Sequence, residues 1–291
     1  MNSLFAVARA AAICAAIASC RSATSPADDS PARGTDASVT DGLLGPDAAA
    51  FDASAVDARA IDAGDMAAIH VLFIGNSYTF VNDLPGMLRA LAASSHAAPS
   101  ITTEQVTPGG TTLQDNYLGP DARPAIAKKA FTHVVLQGQS VEPLLQPAVF
   151  EKYALLFAGE ARDAGAVPTF YETWARRSGD AFYQDPLSGG SPGAMQDTLA
   201  TEYAKVAAAG PSGTLLAKVG DGWRSALATQ PGIVLHQPDG SHPTVAGTLL
   251  AAYVLYIKLT GHDVPAASAV PAGVTPADAA ALHAIALSVT H

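Results

Sequence analysis

The sequence predicts an α/β fold, a three-layer α/β/α sandwich on a mostly parallel five-stranded sheet. Two observations carry this. From residue 69 onward, short apolar runs alternate with amphipathic stretches. That alternation places parallel strands between helices on both faces. The runs are also continuously apolar, as in IHVLFI at 69–74, which suits strands buried on both sides.

Taken in order, 69–74 is the first strand. Leu84, Met87, Leu88 and Leu91 have the i, i+3, i+4, i+7 spacing of one buried helix face. A second, more polar strand covers 101–106, and 124–130 is a helix. THVVL at 132–136 is the third strand. Val149, Tyr153, Leu156 and Phe157 mark a helix closed by Gly165. The fourth strand is 167–171. Leu199, Tyr203 and Val206 mark a helix closed by Gly210, and 215–219 is the last strand. Val245, Leu249, Tyr253, Tyr256 and Ile257 form a long final helix, with Pro243 at its first position and Gly261 just past its end, the usual placement of those two residues.

The 291 residues fall into three zones of composition. Residues 1–19 are apolar and Ala-rich and read as a signal peptide with one positive charge, Arg9. The stretch Ile17-Ala18-Ser19-Cys20 resembles a bacterial lipobox. That resemblance implies an acylated Cys20, export, and a membrane partner reached through the lipid, with Arg21 favouring an outer-membrane or surface location. Residues 20–67 are rich in Ala, Asp, Ser and Pro, with little apolar surface to bury, and read as a disordered tether. Such a chain spans roughly 40 Å root-mean-square. Residues 68–291 read as one catalytic domain of ordinary size. The net charge is −10, densest in the tether, and without a basic patch nucleic acid is excluded as a partner. Both cysteines, Cys14 and Cys20, lie in the leader, so the domain has neither a disulfide nor a thiolate-bound metal.

In parallel sheets, sites form at the carboxyl ends of the strands. Strand one ends in Gly75-Asn76-Ser77. Ser77 there can expose a hydroxyl over the sheet, or cap a helix. Strand two is followed by Gly109-Gly110-Thr111-Thr112, which allows close backbone approach to a ligand or makes a plain turn. Strand three ends in Gln137-Gly138-Gln139-Ser140, with two amide side chains beside a buried run. Asp239-Gly240-Ser241-His242 precedes the last long helix. An Asp three residues before a His can hold its tautomer and stabilise its charged form, as in Ser-His-Asp sites; a surface turn is the alternative.

Together the four segments resemble the SGNH/GDSL hydrolase superfamily over nearly all of residues 69–260. Gly75-Asn76-Ser77 resembles the nucleophile block, Gly109 the glycine block, and Asp239 with His242 the late Asp-x-x-His. The third block departs. Gln139 stands where the family usually has Asn, and offers the same NH₂ donor on one more methylene. The resemblance implies a flavodoxin-like SGNH hydrolase fold. It also implies a serine esterase with Ser77 as nucleophile and Asp239 and His242 completing the triad. The oxyanion hole would come from the amides of Ser77 and Gly109 and the side chain of Gln139, with Gly110 the less favoured alternative. No metal or cofactor is implied. The family hydrolyses acetyl esters on sugars, lipid esters and thioesters. Among these, a small-molecule or carbohydrate ester with a short acyl group is the expected substrate. Asn76, Gln137, Glu172, Trp174 and Arg176 are the candidates for substrate contact. The alternative is a non-catalytic glycan-binding surface lipoprotein on the same scaffold.

Overall fold

The structure is a computed structural model and describes residues 68–94, 99–265 and 270–290. The signal peptide over 1–19, the lipidated Cys20 and the tether over 20–67 lie outside the described residues.

Five strands form one sheet in the order β2-β1-β3-β4-β5. They are β1 Ile69–Ile74, β2 Ile101–Val106, β3 His133–Leu136, β4 Val167–Tyr171 and β5 Leu215–Ala217, and every pairing is parallel. Val71 pairs with Thr103 on one side and His133 on the other. The chain therefore leaves β1 in one direction and returns past it in the other, which opens a crevice above β1 and β3.

Side chains alternate across the sheet. Val71, Phe73, Val135, Tyr171 and Ala217 face one apolar layer. Its helices are α2 Leu84–Ala93, α8 Val219–Thr229, α9 Val245–Thr260 and α10 Pro276–Thr290. Leu72, Ile74, Val134, Leu136 and Phe170 face the other layer. It holds α3 Leu113–Leu118, α4 Ala122–Ala127, α5 Glu142–Leu145, α6 Pro147–Asp163 and α7 Pro192–Ala209. The short α1, Ser77–Phe80, stands at the exit of β1. The three-layer α/β/α sandwich expected from the sequence is the fold observed.

Helix α9 is buried along nearly its whole length, Gly247 to Ile257. It packs against α2, α8, α10 and β5, which is why its sequence is apolar all round. Thr244, not Pro243, prepares its start, accepting from the Gly247 amide at 3.2 Å. Gly261, at φ 69°, ends it.

Two further expectations need correction. The last strand stops at Ala217, and Val219 opens α8. Helix α8 begins Val-Gly-Asp-Gly, and paired glycines so near a strand read as a turn. Helix α9 is not final. Helix α10 follows it, burying Ala279, Leu282, Ile285 and Ala286 on one stripe within an Ala-rich segment of weak contrast.

Candidate active site

The exit of β1 is built to hold a serine in one place. Asn76 caps α1, its Oδ1 accepting from the Tyr78 amide at 3.1 Å. Ser77 is therefore the first helical residue and not the cap. Asn76 is itself held on three sides. Gln137 Oε1 accepts from the Asn76 amide at 3.0 Å, and Gln137 Nε2 donates to Asn76 Oδ1 at 3.0 Å. Asn76 Nδ2 donates to the Thr111 carbonyl at 2.9 Å. Gly75 makes this approach possible, since a Cβ there would lie 2.5 Å from Gln137 Oε1. The exits of β1, β2 and β3 are thereby tied into one unit.

The segment after residue 238 arrives from the far end of the chain. Asp239 Oδ1 accepts from the amides of Ser241 at 2.9 Å and His242 at 3.0 Å. Asp239 Oδ2 meets His242 Nδ1 at 2.5 Å, and His242 Nε2 lies 2.9 Å from Ser77 Oγ. With the carboxylate on Nδ1, the proton belongs on that nitrogen and Nε2 is left as the acceptor for the serine hydroxyl. Burial pushes the Asp239 carboxyl up, but hydrogen bonds from the His242 ring and the two amides outweigh it and hold the group below the ordinary aspartate value. Asp239 thus stays ionised. Gly240 adopts φ +73° to turn the chain, and its carbonyl accepts from the Arg177 amide at 2.8 Å.

The glycine segment is less committed. Gly110 carries the positive φ of 74°, whereas Gly109 is exposed and a Cβ on it would meet nothing within 4 Å. Gln139 is half-buried, and its Oε1 accepts from the Val141 amide at 2.8 Å, which turns its Nε2 group away from Val141. A residue absent from the expectations joins these segments. Glu142, 3 % exposed, accepts with Oε2 from Leu113 N at 3.2 Å and Gln139 N at 3.1 Å. Burial raises its carboxyl to about 7, against those two amides.

Four of the candidates for substrate contact are buried. Asn76 and Gln137 are buried and bonded to each other. Trp174 is 1 % exposed, packed face to face between Tyr78 and Trp223 at 4.3 and 4.1 Å, so it offers no face to a ligand. Glu172 is also 1 % exposed, its Oε1 accepting from Gln196 Nε2 at 2.8 Å and Asp221 N at 2.9 Å. Each stands at a strand end, but burial there serves the scaffold. Arg176 remains half-buried, 3.7 Å from Asp180 and with its Nε unpartnered.

Glu172 makes its own prediction. Burial is the main cause that lifts its carboxyl to about 8, with the Asp221 charge adding to it. An acid whose folded pKa is raised stabilises the fold below its unfolded pKa, and that contribution is lost as pH rises through the folded one. Stability should therefore fall between about 4.5 and 8. Glu172→Gln, which keeps the acceptor, should match the parent at pH 4.5 and exceed it by about 2–4 kcal/mol at pH 9. Urea unfolding across that range reads the difference, and a gap that does not grow with pH would rule out a buried carboxylate as its cause.

No protein-family model matches the chain, and no curated protein sequence does. Among solved structures, a protein from Slackia heliotrinireducens described as an SGNH hydrolase is 32 % identical at a TM-score of 0.55, covering 66 % of this chain and 98 % of that one. The chain belongs to the SGNH hydrolase family. A DUF4886 family protein from Bacteroides uniformis shares the fold at 17 % identity and a TM-score of 0.62, covering 76 % of this chain and 94 % of that one. The acetylxylan esterase Axe2 from Geobacillus stearothermophilus shares it at 16 % identity and a TM-score of 0.52, covering 69 % and 99 %. In this SGNH hydrolase, the Ser77–His242–Asp239 chain of contacts and the Gly75–Gln137 approach stand over the same crevice between β1 and β3. Glu142 could have been found from its position: a carboxylate in an otherwise apolar stretch three residues past Gln139.

Proposed function

We infer that this SGNH hydrolase cleaves a carboxylic ester through an acyl-enzyme on Ser77. The observation that carries this is the unbroken contact from Ser77 Oγ through His242 to Asp239, at 2.9 and 2.5 Å. His242 Nε2 takes the hydroxyl proton as Oγ attacks the carbonyl carbon, and returns it to the departing alcohol. Water then repeats the sequence, releasing the acid and restoring the serine. Asp239 fixes the Nδ1–H tautomer and stabilises the imidazolium. The amides of Ser77 and Gly109 and the Nε2 group of Gln139 are the proposed donors to the oxyanion, with Gly110 the alternative. No step calls for a metal or cofactor. The intact hydroxyl–imidazole contact favours this over a glycan-binding scaffold without catalysis. A short acyl group is proposed, and the acetylxylan esterase that shares the fold makes an acetylated carbohydrate the first natural substrate to try.

A fluorophosphonate label mapped by mass spectrometry tests the mechanism without knowledge of the substrate. Modification at Ser77 alone is expected, together with turnover of an aryl acetate. A folded protein that takes no label, or takes it elsewhere, would remove Ser77 as nucleophile.

A further inference from the structure

Tyr78 follows the proposed nucleophile directly and is 3 % exposed. Its ring lies flat on Trp174, 4.3 Å between centroids and 1° between planes, and Trp174 lies flat on Trp223 at 4.1 Å and 2°. The three-ring stack stands against the His242 segment, with the Tyr78 and His242 rings edge to face at 5.9 Å. Two of the stack's polar groups reach the same residue. The Tyr78 hydroxyl is 2.7 Å from Ser241 Oγ, and Trp174 Nε1 donates to the Ser241 carbonyl at 3.0 Å. Ser241 immediately precedes His242.

The remaining holds on His242 are more open to water. Its partner Asp239 has a side chain 46 % exposed, and a hydrogen bond shared with solvent fixes geometry weakly. The Ser241 contacts are buried, where a polar pair is both stronger and costlier to leave unmade. Burial also pushes the Tyr78 phenol above the ordinary tyrosine value, against the Arg176 charge and hydrogen bonding with Ser241 and Ser140, while the Asp239 charge adds to the rise. The hydroxyl therefore stays protonated at neutral pH.

We propose that Tyr78 is a positioning residue, whose hydroxyl holds Ser241 and thereby sets His242 Nε2 at proton-transfer distance from Ser77 Oγ. One side chain, attached to the nucleophile's own helix, spaces the base from the nucleophile. Trp174 supports it as the backing of the ring and as the second hold on Ser241. The proposal rests on the reading of Ser77 as nucleophile.

Tyr78→Phe, Ser241→Ala and the double variant test it. Tyr78→Phe keeps the stacked ring and removes only the hydroxyl, and Ser241→Ala removes the same contact from the other side should the first variant fold poorly. The readings are kcat and KM for an aryl acetate, the rate of fluorophosphonate labelling at Ser77, and the melting temperature. Each single variant should lose about 10- to 100-fold in kcat and in labelling rate, the scale of a misplaced catalytic group. KM should stay within about twofold, and the double variant should lose no more than the worse single, because both remove one coupling. Singles with unchanged kcat and labelling, whatever their melting temperatures, would overturn the positioning role, and so would losses that simply multiply. Failure of the parent protein to label at Ser77 would instead reject the nucleophile, so the two failures are distinct.

Discussion

Ser77→Ala and His242→Ala are each expected to lose on the order of 10⁶ in kcat toward an aryl acetate, with the double variant no worse than either. The two side chains act as a unit. With the 2.9 Å contact from Ser77 Oγ to His242 Nε2, neither an activated hydroxyl nor a proton carrier exists without its partner. Asp239→Asn should cost less, about 10⁴. The amide can still bond the ring, but it presents a donor as readily as an acceptor and so favours the wrong tautomer. Water, which already reaches the Asp239 side chain at 46 % exposure, softens the loss further. Unchanged melting temperatures would show that the losses are chemical. Ser77→Ala turning over within tenfold of the parent would end the serine mechanism.

Much of this was legible in the residues, and the reasons are specific. Continuous apolar runs only a few residues long fit buried strands, and their alternation with amphipathic stretches gave the parallel sheet and its working edge. Ser77, Asp239 and His242 stand at strand ends and helix entrances, where polar residues stand out from the apolar pattern, but each alone also reads as a cap or a turn; the triad came from the resemblance to the SGNH/GDSL hydrolases. What the pattern could not distinguish was a polar group turned toward a ligand from one turned inward. Trp174 and Glu172 follow β4 as a cleft lining would, yet both are 1 % exposed. Their partners, Tyr78, Trp223 and Gln196, lie far off in the chain, and no local spacing announces a contact across the fold. Helix α8 was hidden for the opposite reason. Its two glycines weaken the helical pattern, and Gly220 is where another part of the chain comes close.

That close approach supports the second large effect. Gly220→Ala is expected to destabilise the fold by about 3–5 kcal/mol. A Cβ at 220 would stand 2.1 Å from the Thr173 carbonyl oxygen, 2.2 Å from Gln196 Nε2 and 2.7 Å from Glu172 Oε1. The nearest of these is backbone and cannot rotate aside. Helix α8 would have to withdraw from the exit of β4, giving up the bonds from Gly220 N to the Glu172 carbonyl at 3.2 Å and from Asp221 N to Glu172 Oε1 at 2.9 Å. A buried carboxyl would then lose a donor with no water to replace it, which raises the cost beyond simple crowding. Gly222→Ala is the control two residues along the same helix. The atoms nearest a Cβ there are side-chain carbons of Leu250, Val254 and Val289, each at 3.7 Å, so helix propensity should make it neutral to about 1 kcal/mol stabilising. Urea midpoints read both, and equal losses at the two positions would show that glycine at 220 is not required by the β4 exit. Because that exit leads within two residues of Glu172 to Trp174, which holds the Ser241 carbonyl at 3.0 Å, whatever Gly220→Ala protein remains folded should also turn over ester more slowly, whereas Gly222→Ala should not.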